Sequence, residues 1–145
     1  MPLDVPHLQT LTPDELDEVF KQSPAGEIPD GEADGTVLLV PGTSVAEPVS
    51  KLLHFMAWQG KVFDRQKGEL LNEVGPLGFK AVRAKVYKEP SWLDGDEAII
   101  LDYSKTSLIA QWIRDEIREV SPRTYLGLVF WEKAKILHFA LEFKA

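Results

Sequence analysis

The sequence predicts a mainly β fold with inserted helices, an α+β chain whose simplest closed form is a single antiparallel β-barrel. Three observations carry that expectation. About seven short runs are rich in β-branched and aromatic residues, as strands are. Most are joined by short turns, which makes neighbours in sequence antiparallel neighbours in space. A meander of that length curls, and closing it removes the exposed edges that invite aggregation. A strongly curved sheet packed on helices is the alternative.

The elements follow in order. Thr12-Pro13-Asp14-Glu15 offers an N-cap threonine, a proline at the first helical position and a glutamate placed for a capping box. A helix from Pro13 to about Gln22 follows, with Leu16, Val19 and Phe20 on one side. SPAGEIPDGEADG reads as an extended connection. GTVLLVP, Gly35 to Pro41, is a strand candidate, and Ser44 to Trp58 is expected to be helical with Val45, Val49, Leu52, Leu53 and Met56 on one face. KVFDR and ELLNEV flank Gln66-Lys67-Gly68 as a hairpin. GFKAVRAKVYKE is a long strand whose core face is expected to be Val82/Ala84/Val86, leaving Arg83 and Lys85 outside. EAIILDY follows the Asp94-Gly95-Asp96 turn. From about Ser107 to Glu119, Ile109, Ile113, Ile117 and Val120 recur at helical spacing, so a second helix is expected there, with Thr106 or Ser107 as its cap. TYLGLVFW and KILHFALEF form a last hairpin around Glu132-Lys133-Ala134, with Leu137, Phe139, Leu141 and Phe143 inward and His138 outward. The whole is expected to be one domain, with residues 1–34 supplying the N-terminal helix and connection and residues 35–145 the barrel and two helices.

Composition narrows the function. The 145 residues carry a net charge of −7, which argues against general nucleic-acid binding because phosphate contacts need a basic surface. With no cysteine there is no disulfide, thiolate or zinc–sulfur chemistry. No secretory signal is evident and no apolar run is long enough to span a bilayer, so a cytoplasmic location is the expectation. His7, His54 and His138 stand at no metal-binding spacing, and HExxH, GxSxG, GxGxxG and P-loop patterns are absent, so neither a metal nor a cofactor is expected.

The strands instead supply aromatics: Phe63, Phe79, Tyr87, Tyr103, Tyr125, Phe130, Trp131, Phe139 and Phe143. Alternate residues of a barrel strand point inward, so the wall suits a small apolar or amphipathic ligand; a filled core is the competing reading. Tyr103-Ser104-Lys105 is expected at the barrel rim. Arg114 is expected on a solvated helix face. Arg118, beside the buried stripe, is placed to bridge Asp102 or to meet an anionic group. The leading function is binding or carriage of a small hydrophobic ligand. The alternative is an isomerase- or cyclase-like enzyme moving one proton in the same cavity, and a His or carboxylate on the inward face would favour it. A packed interaction domain is a third reading. The oligomeric state, a homodimer included, is left open.

Ala57-Trp58-Gln59-Gly60-Lys61-Val62-Phe63 resembles the W-x-G-K-x-F block of bacterial GxWxG-type proteins of unknown function. Asp102-Tyr103, Asp115-Glu116-Ile117-Arg118-Glu119-Val120 and Leu126-Gly127 stand in the order of the strand end, D-x-x-R-x-V and leucine–glycine strand of the partner domain of those proteins. Met56 replaces the first glycine, and the strand end is Asp-Tyr rather than Tyr-Asp. The resemblance implies a lipocalin-like, calycin-type barrel, brings no activity with it, and singles out Trp58, Lys61, Asp115 and Arg118. With Tyr103 and Tyr125 from the strand aromatics, these are the ligand-binding candidates.

Overall fold

Eight antiparallel strands follow one another around a closed barrel, each paired with its neighbour in sequence and the first paired with the last. The structure is a computed structural model and describes residues 3–38, 61–74, 80–104 and 111–144. The strands are β1 (Gly31–Leu38), β2 (Lys61–Asp64), β3 (Glu69–Val74), β4 (Lys80–Pro90), β5 (Glu97–Asp102), β6 (Ile113–Ser121), β7 (Thr124–Trp131) and β8 (Ala134–Phe143). Two short helices, α1 (Val5–Leu8) and α2 (Pro13–Gln22), precede them.

Local chemistry explains the turns and caps. Thr12 accepts from the Glu15 amide while the Glu15 carboxylate accepts from the Thr12 amide, the reciprocal capping box read from the sequence. Glu132 and Lys133 both have positive φ, 47° and 77°, as a two-residue hairpin turn of the I′ kind requires. Strand alternation then sorts the side chains. Leu137, Phe139, Leu141 and Phe143 point inward with Ala84 and Val86, while Arg83 and Lys85 are exposed.

The outer faces of β5, β7 and β8 also carry apolar residues, and the N-terminal segment covers them. Leu8, Leu16 and Phe20 bury against Ala98, Ile100, Leu126, Leu128, Phe130 and Ala140. Removing side chains of that size from water is worth about 1.5–3 kcal/mol each, which is why so short a helix stays docked.

Several expectations need correction. The helix expected from about Ser107 to Glu119 is, from Ile113, strand β6; residues 105–110 lie outside the described set. Ile113 and Ile117 are four apart, and a spacing of four returns to the same side of a strand as well as of a helix. The isoleucines could not separate the two periods, and pairing with β5 and β7 decides for the strand. β6 is the strand by which the barrel exceeds the expected seven. β1 starts at Gly31, four residues before the expected Gly35, because Gly31–Ala33 pair with β2 and Ala33–Leu38 with β8. Helix α1, with Asp4 as N-cap, was not anticipated. The helix expected over Ser44–Trp58 lies outside the described residues.

Candidate functional site: a polar cluster inside the barrel

Strand direction gives the barrel two unlike ends. At one end the interior is filled by rings: Phe63 and Tyr125 each meet Phe143 edge-on, at 5.3 and 5.4 Å between centroids. The segment entering β1 closes it. Ala25 and Ile28 pack into the interior cluster, Tyr125 donates to the Glu27 carbonyl at 2.7 Å, and Arg65 donates to the Ile28 carbonyl at 2.6 Å.

Polar groups enter the interior at the other end. β2 begins there, β5 ends there and β6 begins there, and each delivers one polar residue. Lys61 shares the inward face of β2 with Phe63, Tyr103 directly follows β5, and Asp115 lies between the inward Ile113 and Ile117. Register puts Leu101, Asp115, Val129 and Leu137 in one cross-strand row, a belt of hydrocarbon interrupted by one carboxyl. Lys61 donates to the Tyr103 hydroxyl at 3.5 Å.

Burial dominates the electrostatics. It drives the Asp115 pKa up to about 7; attraction to Lys61 opposes this and Glu116 adds to it. It drives Lys61 down to about 8, against the attraction of Asp115. Asp115 is 3% exposed, and its Oδ1 has no hydrogen-bond partner among the described residues. Such a group costs about 1–3 kcal/mol when left bare. Near neutral pH the cluster thus holds a carboxyl that exchanges a proton readily, facing a cation and a phenol in apolar surroundings.

The candidate residues separate accordingly. Lys61, Tyr103 and Asp115 come together. Tyr103 is fully buried rather than at the rim. Tyr125 serves the closed end, where burial, reinforced by Glu119, pushes its hydroxyl up to about 12. Trp58 lies outside the described residues.

Arg118 is 1% exposed on the outer wall, beneath α2, and does not bridge Asp102. Its guanidinium grips Asp94 with two bonds of 2.7 Å and donates to the carbonyls of Phe20, Asp96 and Glu97. Asp102 instead accepts from Tyr87 and Ser104. Arg114 is not a solvated helix residue either. It stacks on Trp92 and pairs with Glu89 and with the buried Glu116, which also accepts from Ser91 and the Trp92 amide. His138 faces outward, as expected, and meets Asp17 of α2 at 2.7 Å.

The sequence flagged all three members of the cluster without indicating that they meet. An acid centred between inward isoleucines would have been the clue, had the strand period been chosen. Among the described residues no set of three His, Cys, Asp or Glu side chains could hold a metal ion. No described helix is long and apolar enough to cross a membrane.

No protein-family model matches the chain, and no curated protein matches it. A solved structure, titled "Crystal structure of protein from Thermomonospora curvata", is similar at a TM-score of 0.63 and 19% identity, over 93% of this chain and 89% of that one. At that identity the likeness is one of fold.

Proposed function

We propose that the protein binds a small, mainly apolar ligand inside the lipocalin-like barrel, with one polar head held by Lys61, Tyr103 and Asp115. The observation that carries this is the bare Oδ1 of Asp115 in an otherwise hydrocarbon belt. Packing alone would favour an apolar residue there, since a buried carboxyl oxygen left without a donor only costs stability. A ligand hydroxyl would donate to Asp115, and a ligand oxygen would accept from Lys61 or Tyr103. Eight strands make a barrel of the size that accommodates either side chains or one small ligand. Because the closed end is filled by aromatics, the head lies toward the end where β2 and β6 begin.

The test is native mass spectrometry of the freshly purified protein, followed by calorimetric titration with medium-chain alcohols and ketones. Binding is expected, weakened about tenfold in Asp115→Asn or Lys61→Met, the equivalent of about 1.4 kcal/mol. Absence of binding across the series, or equal binding by both variants, would overturn the reading.

A further inference from the structure

We infer that the Lys61–Tyr103–Asp115 cluster moves a proton on its ligand, taking enolisable ketones whose double bond lies β,γ to the carbonyl and shifting that bond into conjugation. The inference rests on the binding reading above and gives the ligand a chemical class. Its ground is the division of labour among the three groups. Lys61 and Tyr103 are adjacent donors, 3.5 Å apart, on the inner surface. Asp115, close enough to Lys61 for their charges to attract, lies on the same inner surface with an Oδ1 that has no partner among the described residues. A carboxylate base and a pair of donors in apolar surroundings are what enolisation needs: the base for the carbon acid, the donors for the oxygen that gains charge.

The step balances without a cofactor. Asp115 carboxylate takes the proton from the carbon between the carbonyl and the double bond. The C–H electron pair forms a new carbon–carbon double bond, and the carbonyl π pair moves onto oxygen, where the Lys61 ammonium and the Tyr103 hydroxyl hold it by hydrogen bonds. The protonated Asp115, whose proton exchanges with solvent, then delivers a proton to the γ carbon, the carbonyl re-forms, and the product is the conjugated isomer of unchanged formula. A carboxyl with a pKa about 7 suits both halves of that cycle, since it gives the proton back as readily as it takes it. With Lys61 titrating at about 8, the rate should climb as Asp115 ionises and fall as the ammonium is lost, giving a narrow bell.

The experiment incubates the protein in heavy water with cyclohexenones whose double bond is β,γ to the carbonyl, bare and with alkyl tails. Deuterium uptake is followed by mass spectrometry, conjugation by ultraviolet absorbance and binding by calorimetry. Exchange and conjugation above the buffer rate are expected for the wild type. Asp115→Asn should still bind the ketones while losing at least about 100-fold in rate, the usual contribution of a general base. Lys61→Met should lower the rate and remove the alkaline limb of the bell. Binding without exchange by the wild type overturns this inference and leaves the binding reading standing. No binding of any ketone overturns both. Exchange at the wild-type rate in a folded Asp115→Asn protein overturns the assignment of the base.

Discussion

The two faces of β6 carry buried charge in opposite ways. Outward, Arg118 satisfies its guanidinium with Asp94 and three backbone carbonyls, and Glu116 accepts from Ser91, the Trp92 amide and Arg114. Inward, Asp115, the residue before Glu116 in sequence, has its Oδ1 unpartnered among the described residues. The same strand, one residue over, changes from a completed network to an incomplete one. Structural charges are completed by the fold, because a buried ion without partners is costly. A buried polar group that the fold leaves incomplete is a candidate for completion by something else. Arg118 attracts attention in the sequence; by this criterion Asp115 is the residue set aside for a ligand.

If the outer network is structural, removing its centre should give the largest loss of stability. Arg118→Met strands Asp94 and the three carbonyls, so a loss of about 3–5 kcal/mol is expected in denaturant unfolding. Arg118→Lys should recover little of it, because an ammonium cannot reproduce the two-bond grip on Asp94. Where the variant stays folded, ligand affinity should be that of the wild type. A small loss of stability with abolished binding would reverse the roles of the two faces.

The inner face should respond with the opposite sign. Folding raises the Asp115 pKa from 3.8 to about 7, so the folded state holds this proton more tightly than the unfolded chain does. Its contribution is most favourable below about pH 4 and is lost as the pH rises toward about 7. Asp115→Asn should therefore be more stable than the wild type at pH 8, by about 2 kcal/mol once the lost attraction to Lys61 is discounted. That advantage should shrink on acidification. Equal stability of variant and wild type from pH 4 to pH 8 would mean that Asp115 is not buried as an acid. Stability gained as binding is lost is the usual signature of a functional residue.

A filled level lies one row below the cluster and can be probed separately. Gly127 faces Phe139 across β7 and β8, and a Cβ there would stand 2.2 Å from the ring. Gly127→Ala must push Phe139 out of place, at an expected cost of about 1–2 kcal/mol. Phe139 is next but one to Leu137 on the inner face, so the displaced ring should also perturb binding at the Asp115 row. Unchanged stability would mean that this level of the barrel has room to spare.

The legibility of the chain follows the same division. Strands with clean alternation could be read directly: Ala84 and Val86 against Arg83 and Lys85, or Leu137 to Phe143 against His138. So could α2, whose capping box is local chemistry. β6 could not, because its isoleucines repeat at four residues and satisfy both periods, and because Arg114 looks solvated and Arg118 looks placed for Asp102 until the turn at Ser91–Asp96 and the end of α2 are brought against them. The partners of Arg118 lie 21 to 98 residues away, a separation no local pattern encodes. The cluster was hidden for the same reason. Lys61, Tyr103 and Asp115 were each visible, but only the closed barrel turns three strand ends toward one space.

The smallest effect expected separates the two faces by the sign of their pH dependence. On the outer wall Asp17 joins α2 to β8 through His138 and Lys135. Burial pushes the Asp17 carboxyl up, but hydrogen bonds from Lys135 and His138 outweigh it and hold its pKa below the usual value; burial likewise lowers that of His138. A depressed carboxyl contributes stability that is lost as the pH falls through its folded pKa. A depressed histidine loses stability as the pH falls below the ordinary value of 6.5, where the unfolded chain takes the proton first. Both terms make the outer wall acid-labile, opposite to the inner Asp115. Asp17→Asn should cost about 1 kcal/mol at neutral pH, the worth of one charged hydrogen-bonded contact, and should flatten the acid limb of stability against pH. In the same protein Asp115→Asn should flatten the limb from about pH 4 to about pH 7. Additive effects in the double variant would show that the faces act independently, as residues on opposite sides of a barrel wall with no shared partner should. Coupling above about 0.5 kcal/mol would mean that the docking of α2 is felt inside the barrel.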